Sequence, residues 1–291
     1  MRAALLLAIT IRLSAQPSAA ELLEQKTLDQ IRDFDRGFDG AVGVAAIDLE
    51  TGHSFGYHAD SVFPQASVIK IPILIAMFQA QHDGRLRLSD PVTLDLKDAV
   101  GGSGHLKAAL AKGPVTLSLR ELVAAMMDDS DNTATNKCIG MLGMDFVNRT
   151  AAALGSMQTR LGRIMMDTAA ALRNEENLST PNEMAHLAEA IYRGKAVDRA
   201  SSDEMIRIMK RNRAGMPEGL PLDVEAAAKD GQLPGARGET GIIFLAGRPF
   251  VLSIMSTFID DRRTPVPEVT RICFRYFEKL AGSNRYGNRL R

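Results

Sequence analysis

The chain has 291 residues and 45% hydrophobic content, enough to build one large domain or two closely packed lobes and too apolar for wholesale disorder. Lysine plus arginine balance aspartate plus glutamate at 35 each, which gives no global electrostatic case for nucleic acid or for an anionic membrane as partner. Two cysteines make no disulfide framework, and there is no C-x-x-C, no H-E-x-x-H and no glycine-rich phosphate loop.

The first twenty residues, "MRAALLLAITIRLSAQPSAA", place Arg2 before an apolar run from Ala3 to Ile11, with small residues around Ala15 and Ala19. That is the layout of a secretory signal peptide, cleaved after Ala15 or near Ala19 and Ala20. The run is too short to span a bilayer, so the expectation is an exported protein, periplasmic or secreted, with no stable membrane anchor. Residues 21 to 37 carry Leu22, Leu23, Leu28, Ile31 and Phe34 at helical spacing. "AVGVAAIDLE" and "HSFGYHAD" read as two strands joined at Thr51-Gly52.

From Ser67 to about Ala80, "SVIKIPILIAMFQA" is apolar on nearly every face, which predicts a helix at the protein's centre with Ser67 at its start. From about 90 to 215 the pattern is mostly helical. "SLRELVAAMMDDSDNTATNKCIGMLG" holds a helix, a polar break and another helix, and "TPNEMAHLAEAIYRG" opens on a Thr180 cap and a first-turn Pro181. Met126, Met127, Met165 and Met166 read as core filler.

Beyond 224, "EAAAKDG", "TGIIFLAG" and "PFVLSIMST" are strand-like runs, and "PVPEVTRICFRYFEKL" is a final helix. Strands at both ends with helices between predict an α+β fold whose termini share one sheet, with an all-helical lobe inserted. The expected division is a leader over 1–20 and a domain over 21–281. Within it an α/β lobe takes 21–65 and 216–281, a helical lobe takes 66–215, and 282–291 is a solvated basic tail. Cys138 and Cys273 each sit in an apolar helical pattern and read as buried thiols, although an oxidising compartment would permit them to pair.

Three short motifs carry chemistry. Ser67-Val68-Ile69-Lys70 puts a hydroxyl and an ammonium on one helical face, where an S-x-x-K also arises by composition in roughly every 250 residues. Lysine becomes a competent base only when burial or a second cation lowers its pKa. Ser130-Asp131-Asn132 falls at the break between two helices, where Ser130 or Asp131 also suits an N-cap. Lys229-Asp230-Gly231 supplies a fixed positive charge and a glycine that lets another backbone lie against the strand edge. "DDSDNT" echoes a calcium loop but lacks its turn glycine and closing glutamate, so no metal site is expected.

In this order, S-x-x-K, S-D-N and K-x-G resemble the set of the penicillin-recognising serine enzymes, closest to the class A β-lactamase family. The likeness runs from about residue 40 to 280 and extends to "GSGHL", "LSLRELVAAMMDDSDNTATN" and "STPNEMA". It implies an antiparallel sheet built from both chain ends against an all-helical lobe, and a serine hydrolase needing no cofactor. By that resemblance Ser67 is the nucleophile, Lys70 takes its proton and Ser130 relays a proton to the leaving nitrogen. Asn132 holds Lys70 and the substrate amide, and Lys229 attracts a substrate carboxylate beside Gly231. The N–H groups of Ser67 and Gln232 form the oxyanion hole. The implied partner is a small β-lactam or peptidoglycan-like molecule, met by a monomer. A DD-peptidase-like or esterase-like hydrolase with slow deacylation, or a penicillin-binding sensor without turnover, are the alternatives.

The chain departs from the family at three places. The loop "RLGRIMMDTAAALRNEENLSTP" puts Met165 or Met166 where the family's deacylating glutamate is expected. Asp167 is the nearest carboxylate, with Glu175 and Glu176 further along. Asp230 replaces a hydroxyl residue and adds a negative charge beside the carboxylate site, unless strand alternation turns it outward; two like charges about 4 Å apart repel by about 1 to 4 kcal/mol. Thr240 stands where an arginine often clamps that carboxylate, with Arg237 nearby as a substitute.

Overall fold

The computed structural model describes residues 16–212, 215–260 and 263–289. The expected leader therefore lies mostly outside the described residues. Its last few belong to the body of the protein: Ser18 caps helix α1 (Ala19–Gly37), accepting from Glu21 N–H at 3.2 Å while its own N–H bonds Glu21 Oε2 at 2.6 Å.

A five-stranded antiparallel sheet is built from β1 (Ala41–Asp48), β2 (Ser54–Tyr57), β3 (Ala226–Leu233), β4 (Ala236–Ile243) and β5 (Phe250–Thr257), in the order β2-β1-β5-β4-β3. Both ends of the chain thus share one sheet, and β3 forms a free edge. Strand alternation divides the apolar residues between two cores. Val42, Val44 and Ala46 face α1 and the last helix, α7 (Val266–Ala281), together with Phe250, Leu252 and Phe277. Ala45, Ile47, Val251 and Met255 face the helical body. Cys138 lies in the second core and Cys273 in the first, so the two free thiols sit on opposite sides of the sheet, and burial pushes each up to about 12.

The helical body comprises α2 (Lys70–His82), α3 (Leu119–Asp128), α4 (Asn132–Leu142), α5 (Pro181–Tyr192) and α6 (Arg199–Met209), besides a further helix over Met144–Ala153 and shorter turns. Helix α2 is its axis: every residue from Ile71 to Phe78 is fully buried, which its all-round apolar sequence requires. Pro72 costs nothing there, because a first-turn N–H has no intrahelical acceptor. Thr180 caps α5, accepting from Glu183 N–H at 3.1 Å ahead of Pro181.

Three local features differ from the sequence expectation. The segment opening the central helix is a 3-10 turn over Ala66–Ile69, and the α-helix starts only at Lys70. The region read as helical contains a small two-stranded antiparallel ribbon, Pro91–Leu94 with Val115–Ser118, too short to leave a period-2 signal. Strand β4 begins four residues before the expected "TGIIFLAG". The reason is the two-residue loop Pro234-Gly235: with Gly235 at φ 75° it pairs Leu233 directly with Ala236 and pulls "ARGE" into the ladder.

Candidate active site

Ser67 does not cap a helix. The 3-10 turn opens with Gln65 and has no side-chain cap, and the Ser67 side chain is left partly exposed. Such a turn has three residues per revolution, so Lys70 stands directly above Ser67, a tighter alignment than an α-helix provides. Ala66, immediately before the serine, adopts φ 46°, a left-handed conformation disfavoured for a residue with a Cβ. Ser130 at φ 55° and Met166 at φ 65° do the same. Three strained non-glycine residues around one site mark it as held in place by its surroundings.

The Lys70 side chain is fully buried. Its Nζ lies 2.7 Å from Ser130 O, 2.9 Å from Ser130 Oγ and 3.2 Å from Asn132 Oδ1. Burial, then the charge of Lys229, push the amine well below the ordinary lysine range, against the pull of Asp230 and Asp131. Nζ donates to all three oxygens, and a lysine that loses one proton keeps two donors for these contacts and gains a lone pair that can take a proton. Asn132 is oriented for this by its Nδ2, which donates to Gly101 O at 2.9 Å. Among the described residues no side-chain hydrogen bond joins Ser67 to Lys70; the two are linked through the backbone, Lys70 N–H donating to Ser67 O.

The S-D-N break divides its labour by residue. Asp131 is the N-cap of α4, accepting from Ala134 N–H at 2.9 Å and from Leu106 N–H at 2.8 Å. Asp131 thereby frees Ser130 and Asn132 to face Lys70. Gly102, at φ 82°, lies so close to Asn132 Nδ2 that a Cβ there would stand 2.7 Å away.

Strand β3 approaches the Ser67 turn through Gly231. A Cβ on that residue would meet Gln65 O, Ser67 N and Val68 N, each at 2.8 Å. An alanine would push the edge strand off the turn, so the glycine sets the spacing between Ser67 N–H and the strand that carries Gln232. Gln232 is exposed, and its Oε1 accepts from Arg237 Nη1 at 2.6 Å across the β3–β4 pair. The register opposes Arg237 to Gln232 and Thr240 to Lys229, so Arg237 stands three pairs, or about 10 Å, along the sheet from Lys229. Thr240 is fully buried and shares a 2.8 Å hydrogen bond with Ser253.

Asp230 does not turn outward. Its carboxylate bends back along the sheet edge to Lys229, whose Nζ donates to Asp230 Oδ1 at 2.6 Å and to Asp230 O at 3.0 Å. Asn212 Nδ2 donates to the same Oδ1 at 2.8 Å. Burial pushes this carboxyl up, but the Lys229 charge and the bonds from Lys229 and Asn212 outweigh it and hold the group below the ordinary range. Lys229, itself fully buried, is thus paired within the chain. Opposite Asp230 in register lies Glu239, buried, its carboxyl pushed well above the usual range by desolvation although Met216 N–H bonds it at 2.9 Å. Sequence reasoning missed Asn212 and Glu239; the one signal for the latter was an acid within a strand whose other residues, Arg237 apart, are small or apolar.

In the loop after α4, Asn136 clamps Met165 by both backbone groups, donating to its carbonyl at 3.0 Å and accepting its N–H at 2.7 Å. Met165 is buried and Met166 is half-exposed, its sulfur beside Gly102. Asp167 caps a short helix, accepting from Ala170 N–H at 2.9 Å. Glu175 pairs with Arg173 at 2.8 Å, and Glu176 with Arg163 at 3.0 Å.

The sequence pattern of the Beta-lactamase enzyme family matches residues 26–277. Beta-lactamase ROB-1 of Haemophilus influenzae is 28% identical over 249 residues, covering 83% of this chain and 79% of its own length. Beta-lactamase 1 of Streptomyces cacaoi is 30% identical over 246 residues, covering 78% and 75%. Among solved structures, a beta-lactamase from Sphaerobacter thermophilus superposes with a TM-score of 0.79 at 26% identity, covering 88% of this chain and 97% of that one. An acyl-enzyme complex of a leucine-to-glutamate mutant of PBP-A with penicillin G superposes with a TM-score of 0.80 at 27% identity, over 88% and 97%. With that match spanning most of the domain and class A structures sharing its fold, the chain belongs to the beta-lactamase enzyme family as a class A β-lactamase-like serine hydrolase.

Proposed function

We propose that the protein is an exported acyl-hydrolase whose Ser67 is acylated by β-lactams or related amides and esters, and whose acyl-enzyme is released slowly. One observation carries the reading: a buried amine, Lys70, is held between Ser130 and Asn132 one 3-10 turn above a partly exposed serine. In the proposed reaction Ser67 Oγ bonds to the acyl carbon while its proton passes to neutral Lys70. The carbonyl electron pair becomes an oxyanion between the N–H groups of Ser67 and Gln232. Collapse breaks the bond to the leaving nitrogen, which takes the Ser130 hydroxyl proton as Ser130 recovers one from Lys70. The amine ends neutral, and Ser67 carries the acyl group as an ester. That the leucine-to-glutamate mutant of PBP-A forms an acyl-enzyme with penicillin G supports the first half of the cycle. The esterase-like alternative is favoured over the sensor by the same intact relay.

Ser67→Ala should abolish hydrolysis of a chromogenic cephalosporin or a p-nitrophenyl ester. Activity that survives the substitution sinks the mechanism. Export rests on the leader's layout, and no described helix is long and apolar enough to cross a membrane. Cleavage after Ala15 leaves the Ser18 cap on α1, whereas cleavage at Ala19 or Ala20 removes it at a cost of about 1 kcal/mol. The mass of the mature chain after secretion is therefore expected to begin at Gln16, and a start at Ala20 or Glu21 would count against this assignment.

A further inference from the structure

We infer that Asp230 occupies the substrate-carboxylate site from within, so that this enzyme selects acyl donors that are uncharged, or carry a hydrogen-bond donor, where a β-lactam carries its carboxylate. The inference rests on the proposed acylation of Ser67 and names the substrate class that the same site accepts. Three observations carry it. Lys229 is fully buried, and its Nζ is held by Asp230 at 2.6 Å and 3.0 Å. Asp230 is itself fixed from the other side by Asn212 Nδ2 at 2.8 Å, so it is a seated anion rather than a passing surface charge. No second cation is brought to the pair from β4: the residue opposite Lys229 is Thr240, bonded to Ser253, and Arg237 lies three pairs away against Gln232.

An incoming carboxylate at Lys229 meets an ion pair of no net charge and a carboxylate at contact range. It gains little from the lysine and is repelled by the aspartate. An ester is spared that repulsion. An amide N–H or an ammonium gains an acceptor, the half-exposed Asp230 carboxylate. Asp230 is thus a specificity determinant, while Ser67, Lys70 and Ser130 act in the same way on either class.

The test compares benzylpenicillin with its methyl ester, which differ only in that carboxylate, by following the rate of Ser67 acylation by intact mass. The wild type should acylate faster with the methyl ester, by about tenfold or more. Asp230→Ser should reverse the preference, and Asp230→Asn, which keeps the shape and drops the charge, should abolish most of it. The ratio of two rates in one protein is insensitive to a general loss of folded enzyme. A wild type that prefers the free acid, or a ratio unmoved in both variants, overturns the inference. No adduct with either compound in any variant would instead overturn the acylation reading, and this inference with it.

Discussion

Mixed with benzylpenicillin at high concentration, the purified protein is expected to accumulate an adduct on Ser67 that persists while little penicilloate is released. In the proposed mechanism the acylating half needs Lys70, which is buried and bonded to Ser130, and the carboxylates of the loop that would serve the second half are committed elsewhere. Asp167 caps the turn at Thr168–Leu172, Glu175 pairs with Arg173, and Glu176 pairs with Arg163. Met165 and Met166 offer no base at all. A positioned general base contributes about 10²- to 10⁴-fold, so the ester should outlast its formation by a factor of that order. Asp167→Asn is the control, because asparagine caps as well as aspartate and the loop should stay intact. The adduct's lifetime should not change in that variant. A lifetime lengthened about a hundredfold would make Asp167 the base after all, and rapid penicilloate release from the wild type would show that some other group activates water.

The parts of this molecule that sequence reasoning could reach are those set by local pattern. The all-apolar run after Ser67 placed α2 at the centre, and Thr180-Pro181 marked the start of α5, because burial and capping leave their mark within a few residues. The change to period-2 runs beyond residue 224 put the chain's end in the sheet with its beginning, as the β1–β5 pairing has it. What stayed out of reach was set by contacts between distant segments. The 3-10 turn at Ser67 lies against β3 at Gly231, a contact 164 residues away in sequence, from 67 to 231. The direction of Asp230 could not be had from strand alternation, because an edge strand lets a short side chain bend around its open side, and the partner that holds it, Asn212, lies on the helical body. Asn136 likewise reveals its role only once the loop has folded back to place Met165 against it.

Acylation of Ser67 is expected to rise with pH along an acid limb that reports Lys70, and two single substitutions are expected to move that limb in opposite directions. The base form is the neutral amine, so the rate falls once the pH drops below the Lys70 pKa. Lys229 is a neighbouring cation that disfavours the Lys70 ammonium, and Asp230 is an anion that favours it. Lys229→Met removes the cation and leaves Asp230 unneutralised, and both effects raise the Lys70 pKa, so the limb shifts to higher pH. Asp230→Asn removes the anion and leaves Lys229 uncompensated, and both effects lower it, so the limb shifts to lower pH. The profile is best taken with a neutral p-nitrophenyl ester, whose binding does not draw on the Lys229 charge. Lys70→Ala should lose about 10²- to 10⁴-fold in rate and the limb with it. A limb unmoved by both substitutions would assign the titration to a group remote from this pair. A shift of the same sign in both would mean that the substitutions act through the strand's position and not through charge. Opposite shifts are what a base governed by two adjacent, opposed charges requires, and they would tie the pairing of Lys229 with Asp230 to the chemistry at Ser67 as well as to the choice of substrate.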